Sequence, residues 1–208
     1  MADLPFALEP ALGDALVRAL DVEGKIPRAL DALGPIVGRD IVLVGGGSLE
    51  TRRLADAGAR LTNVDALGPN GGGNWPVPDG QADAVVAAWS GFRGIVGTEL
   101  AETDRVLRPG GRVLVVHDYG RDDVSRLRGD LPEYNLWSRR DGPFLSAGFR
   151  IRVIHCFWTF DSAATARSFV SSAFGTVGEA FAATLNRPRL SYNVAVYHRT
   201  RRGERPTA

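Results

Sequence analysis

The chain predicts an α/β protein built on a mostly parallel sheet that is covered by helices on both faces. Three observations carry that prediction. Short apolar runs such as IVLV, DAVVAA and RVLVV alternate with stretches of helical periodicity, the pattern of strand and crossover helix. The first run opens directly into three glycines, then a helical pattern, then a second run ending in Asp65. With 208 residues, 44% of them hydrophobic and 24% charged, the chain is sized for one core.

Taken in order, ALGDALVRALDVEGKIPRALDALGPIVG spaces Leu, Ala, Val and Ile as helices do. Gly24 and Pro27 divide it into helices near 7–20 and 25–34. IVLVG is a buried strand. Ser48 caps the next helix, which Gly58 stops, and ARLTNVD is the second strand. ALGPNGGGNWPVPDGQA has no periodicity and reads as loop. DAVVAAWS is a strand, VGTELAETDRVL a helix ended by the RPGG turn, and RVLVVHD a strand. Two short helices are expected around Pro132. RIRVIHCFWTF is then a strand, DSAATARSFVSSAFGTVGEAFAATL a helix bent near Gly175, and LSYNVAVYHR the strand that closes the sheet. The expected organisation is a helical segment over 1–36 packed on an α/β domain over 37–200, with a disordered polar tail over 201–208.

Composition excludes several classes. The net charge of +1 provides no global field for nucleic acid or an anionic membrane. The single cysteine, Cys156, sits in an apolar run, so the sequence has no internal disulfide and points to a buried, inert thiol. Three histidines on different strands offer no metal-ligand spacing. No apolar stretch is long enough to span a bilayer and the first residues do not read as a signal peptide, so the expected location is cytoplasmic.

Three segments, in order, resemble the class I S-adenosylmethionine-dependent methyltransferases over roughly residues 25–118. VGGGSLETRRLADAGARLTNVD stands where that family has its glycine-rich loop, first helix and acidic strand end. WPVPDGQADAVVAAWS is similar to its entry into the fourth strand, and ETDRVLRPGGRVLVVHD to its R-V-L-R-P-G-G turn and fifth strand. The resemblance implies a Rossmann-like doubly wound sheet and S-adenosylmethionine as cofactor. It places the amino-acid end and ribose of that cofactor on Gly45, Gly46 and Gly47, with Asp65 accepting hydrogen bonds from the ribose hydroxyls. A plain strand-to-helix turn without a ligand would use the same glycines. Trp89 and Ser90, ending one strand, are expected to line the cofactor pocket. His117 and Asp118, ending the next, are the catalytic candidates: His117 as general base and Asp118 orienting it. The other reading makes Asp118 a helix cap and His117 a hydrogen-bonded strand-end residue. His155 and Trp158 either line a pocket or fill core, and His198 is expected to be solvated.

The departures from the family pattern are specific. Leu43 stands where an acid is usual and Leu49 where a glycine is usual. Between Asp65 and the P-D-G stretch the family builds a helix and a third strand that contacts the adenine. Here the interval is ALGPNGGGNWPVP, too short for a parallel crossover, which needs about a dozen residues or more for the connection alone. The third strand and its helix are therefore expected to be missing. Trp75 then either covers an adenine face or packs over the exposed edge, which a second copy of the chain, as a homodimer, could also cover. A dinucleotide site would need glycine at position 50, where Glu50 stands. The expectation is methyl transfer to a small-molecule acceptor, with no nucleic-acid or membrane partner. The alternative is a non-catalytic descendant kept as a binding or assembly module.

Overall fold

The structure, a computed structural model, describes residues 5–67, 74–129 and 131–201. Residues 68–73 of the expected loop, and the expected tail beyond 201, lie outside the described residues.

Two helices, α1 (Pro10–Ala19) and α2 (Lys25–Leu33), come first. Pro10 begins α1, where a missing amide hydrogen costs nothing. The Asp21 carboxylate accepts from the amides of Lys25 and Ile26 at 2.9 and 2.7 Å and so caps α2. Then follow β1 (Asp40–Val44), α3 (Ser48–Asp56), β2 (Arg60–Val64), β3 (Ala82–Ala88), α4 (Gly97–Val106) and β4 (Leu107–Asp118). The remainder is α5 (Asp123–Arg128), α6 (Pro132–Asn135), α7 (Pro143–Ser146), β5 (Arg150–Thr159), α8 (Ala163–Thr184) and β6 (Arg189–Thr200).

The six strands lie in the order β2-β1-β3-β4-β6-β5. β1 to β4 pair in parallel, and β6 runs antiparallel between β4 and β5. The last strand therefore does not lie at the rim: it inserts beside β4, and β5 is the edge. Among the described residues no helix or strand stands between β2 and β3, and β2 is the opposite edge, with only Val64 of it buried. Among the described residues the third strand is missing where the short interval predicts its loss.

The parallel strands bury both faces. Ile41, Leu43, Val86, Leu114 and Val116 pack toward α1, α2 and α8, while Val42, Val44, Val85, Val113 and Val115 pack toward Trp75, Phe92, Phe144 and Tyr197. The RPGG segment differs from a simple turn. The strand begins at Leu107 and the segment bulges within it, so that Ala82 pairs with Leu107 but Ala84 with Arg112. Among the described residues three short helices, not two, stand between β4 and β5. α8 breaks at Gly175, whose φ of 56° and ψ of −137° interrupt the helix where the sequence expects a bend.

Candidate functional site

β1 continues to β2 on one side, and β3 then lies on the other. The order of the sheet reverses there, so a crevice is expected at the carboxyl ends of β1 and β3. Gly45 turns the chain out of β1 in the left-handed region, φ 61°, and its amide donates to the Val64 carbonyl at 2.7 Å. That bond seats the glycine turn directly beside the end of β2, one residue before Asp65. Gly46 rests on the buried side chain of Leu43, and a Cβ there would collide with it. Leu43 thus fills, with packed hydrocarbon, the position where an acid was usual. Gly47 is extended and leads into α3. The Asp65 carboxylate is exposed and makes no hydrogen bond or ion pair among the described residues, while its backbone carbonyl accepts from the Trp75 indole at 3.0 Å.

Trp75 is only 5% exposed. Its ring tilts against Phe92 with centroids 5.5 Å apart, its amide donates to Glu102 at 2.7 Å, and its carbonyl accepts from Arg105 at 3.1 Å. Glu102 and Arg105 are themselves paired at 2.6 Å on α4. The indole is a core side chain that covers the sheet where, among the described residues, no third strand or helix stands. The expectation of a free ring facing adenine gives way to the packing alternative, because the uncovered apolar sheet takes the only large aromatic that the short loop holds.

The other side of that switch point is formed by the ends of β3 and β4. Trp89 leaves β3 with φ 46°, a strained value for a residue with a side chain. Its indole donates to Asp118 at 2.9 Å and lies parallel to the Tyr192 ring with centroids 6.5 Å apart. Ser90 is buried, and its hydroxyl accepts from the Phe92 amide at 3.3 Å, so it shapes the turn after β3 instead of facing a pocket.

His117 and Asp118 do not form the expected pair. Successive strand residues point to opposite faces, and these two do. His117 meets the edge of Trp137 on the Phe144 side, centroids 5.0 Å apart. It is 6% exposed, its Nε2 has no partner among the described residues, and burial, then the Arg93 and Arg128 charges, push its pKa well below the usual imidazole value. Such an imidazole is a weak base. Asp118, on the other face, accepts from Arg128, Tyr192 and Trp89, with the Tyr134 hydroxyl at 3.4 Å. It is a buried charge neutralised by one guanidinium and held by aromatic donors, and it does not cap α5. Asp122 does that, with a capping box to Ser125.

Arg128, Tyr134 and Tyr192 were not singled out by the sequence. Arg128 reaches Asp118 because α5 folds back over the strand end, which no local spacing encodes. Tyr192 reaches Asp118 through the β4–β6 register, which sets Asp118 opposite Val194 and which no local pattern encodes. Trp158 is fully buried, and exposed His155 bonds Asn193 at 2.7 Å, so neither lines the crevice. Cys156 is buried, bonded to the Tyr192 carbonyl, with its thiol pKa raised by burial. Among the described residues no group of three metal-ligating side chains stands together, and no helix is long and apolar enough to cross a membrane.

Comparison with solved structures agrees with this topology. The chain is similar to a candidate type II methyltransferase from Anaeromyxobacter dehalogenans, at 20% identity and a TM-score of 0.54 over 86% of this chain and 96% of that one. It is also similar to a chain of the complex between the Haloferax volcanii Trm112 methyltransferase activator and a candidate methyltransferase, at 14% identity and a TM-score of 0.54 over 94% of this chain and 93% of that one. No protein-family model and no curated protein sequence matches. The chain has the fold of the class I S-adenosylmethionine-dependent methyltransferases, without that fold's third strand among the described residues.

Proposed function

We propose that the chain binds S-adenosylmethionine across the carboxyl ends of β1 and β3 and transfers its methyl group to a small-molecule acceptor. One observation carries this reading. Asp65 presents an exposed carboxylate with no protein partner among the described residues, beside a left-handed glycine turn that is tied to the end of β2. The fit is good at the ribose end, where Asp65 would accept from two hydroxyls and Gly45 and Gly47 would keep the backbone clear of side chains. It is weaker at the adenine end, where Trp75 belongs to the core. S-adenosylmethionine, when bound, supplies a methyl group activated by its sulfonium. What remains for the protein is holding and orienting the reactants. Trp89, fixed by Asp118 and Tyr192, would form an aromatic wall toward the acceptor. With Asp118 neutralised and His117 turned to the other face, neither side chain serves as general base, so the acceptors that suit this site are already nucleophilic.

Isothermal titration with S-adenosylmethionine tests the reading. Asp65→Ala should weaken binding by about tenfold or more, the loss of charged hydrogen bonds, with the unfolding midpoint unchanged because the carboxylate is exposed. Equal affinity in the two proteins would show that the carboxylate is not the tether. A second reading, a non-catalytic binding or assembly module, is favoured by Leu43 beneath the glycine turn and by the open edge of β2. It predicts a dimer, or a complex, in sedimentation and no heat with the cofactor. A monomer that binds S-adenosylmethionine tightly excludes it.

A further inference from the structure

At the end of the sheet opposite the crevice, the charges are arranged in two ways. Around the start of β1 and β3 the arginines find acids. Arg60 and Arg108 meet Asp40 at 2.7 and 3.0 Å, and Arg108 also meets Asp83 at 2.8 Å. On the β4–β6–β5 half only Arg199 has an acid among these strand-end cations, and the others have none among the described residues. Arg150 and Arg152, both exposed, make no ion pair or hydrogen bond among the described residues. Arg112 donates to a neutral hydroxyl, Thr200, at 2.6 Å, and has no acid beside it among the described residues.

The strand register gathers these cations. Arg112 pairs with Thr200, His198 pairs with both Leu114 and Arg150, and Arg152 pairs with Val196. Directly paired residues share a face, so Arg112, His198, Arg150 and Arg152 stand together on one side of the sheet. Arg112, Arg150 and His198 border a cavity of about 610 Å³ whose ionisable lining is completed by Arg199, with no acid among it. Arg199 alone is neutralised, by Asp104 at 2.7 Å. Arg152 lines the next cavity, of about 380 Å³, with Arg28, His155 and Lys25, the last paired with Glu23 at 2.7 Å. His198 is half-buried, not solvated as its strand-end position suggested. Burial, then Arg112, Arg150 and Arg152, hold its pKa below the usual imidazole value.

A chain of net charge +1 that concentrates unpaired guanidiniums around one imidazole has built a positive focus that its composition does not reveal. Guanidinium forks match the oxygens of a phosphate group, and the cavity has the size of a small-molecule site. We propose that this cavity is a second ligand site, taking a small molecule that carries a phosphate or diphosphate group. It lies the length of β4 from the crevice, about 20 Å from Arg112 to Asp118 at the rise of an extended strand, so it is separate from the proposed cofactor site.

The test uses the full chain with inorganic pyrophosphate as probe, at moderate salt, read by NMR titration of the histidines and by calorimetry. His198→Gln assigns the resonance. An anion between Arg112 and Arg150 favours the imidazolium, so the His198 pKa should rise by about one unit with pyrophosphate. The exposed pair Arg150→Gln/Arg152→Gln should weaken pyrophosphate binding by about tenfold or more. Asp65→Ala should leave it unchanged, and this separates failure here from failure of the methyl-transfer reading. No movement of His198, equal affinity in the double variant, or binding of a poly-dT oligonucleotide without binding of pyrophosphate overturns the proposal.

Discussion

Replacing Trp75 with alanine asks whether its indole is structure or ligand platform. The ring is 5% exposed against Phe92, Val77 and the buried face of β1 and β3. A buried aromatic hides about 150–250 Å². At about 25 cal/mol per Å² that is roughly 4–6 kcal/mol, an upper figure, since the unfolded chain already hides some of this area. Trp→Ala changes in cores cost about 3–5 kcal/mol, and this one also frees the Asp65 carbonyl and leaves a hole against Phe92. Trp75→Phe keeps the ring contact and loses the indole hydrogen bond, worth about 1 kcal/mol. Urea unfolding followed by circular dichroism should therefore rank wild type, Trp75→Phe and Trp75→Ala in falling order, with the alanine variant down by about 3–5 kcal/mol. Calorimetry with S-adenosylmethionine should find Trp75→Phe within a few-fold of wild type. If the alanine variant loses less than about 1 kcal/mol while cofactor binding vanishes, the indole faces the ligand and the packing account is wrong.

Two further outcomes concern the strand end. Asp118→Ala leaves the largely buried Arg128 without its counter-charge and the Tyr192 hydroxyl and Trp89 indole without their acceptor. The expected cost is about 3–5 kcal/mol by urea unfolding, with Asp118→Leu/Arg128→Leu costing less than the sum of the two single changes. Additive losses would mean that the two groups do not share an energy. His117 is held neutral by burial, so its folded-state pKa lies below the unfolded one. Its contribution to stability is complete above the unfolded value, about 6.5, and is lost as pH falls below it through the folded pKa, at up to about 1.4 kcal/mol per pH unit. Unfolding free energies of wild type and His117→Leu between about pH 7 and pH 5 should diverge in slope over that window, the variant being flatter. Parallel slopes would show that the imidazole protonates freely in the folded chain.

Most of the architecture was legible from local pattern. The apolar runs at 41–44 and 82–88, the helical spacing of 97–106 and the short span between Asp65 and Pro78 announce a parallel sheet that has lost a strand, because burial on two faces demands continuous hydrocarbon and a crossover demands length. The glycine turn and Asp65 were legible for the same reason: backbone freedom and strand-end position are written in single residues. The partners were not. His117 and Asp118 are neighbours in sequence and strangers in space, since the pleat sends them to opposite faces. Asp118 instead meets Arg128 and Tyr192, which come from α5 and β6.

By itself, then, the order of residues determined which segments become strand, turn and helix, and that one acid would stand exposed beside a turn of glycines. Only the tertiary structure decided that Trp75 belongs to the core, that His117 is isolated, and that arginines from three strands crowd around His198. Helical period, pleat and turn are properties of a few adjacent residues. Charge compensation and burial are properties of whatever the fold carries into contact, and the insertion of β6 between β4 and β5 made those contacts.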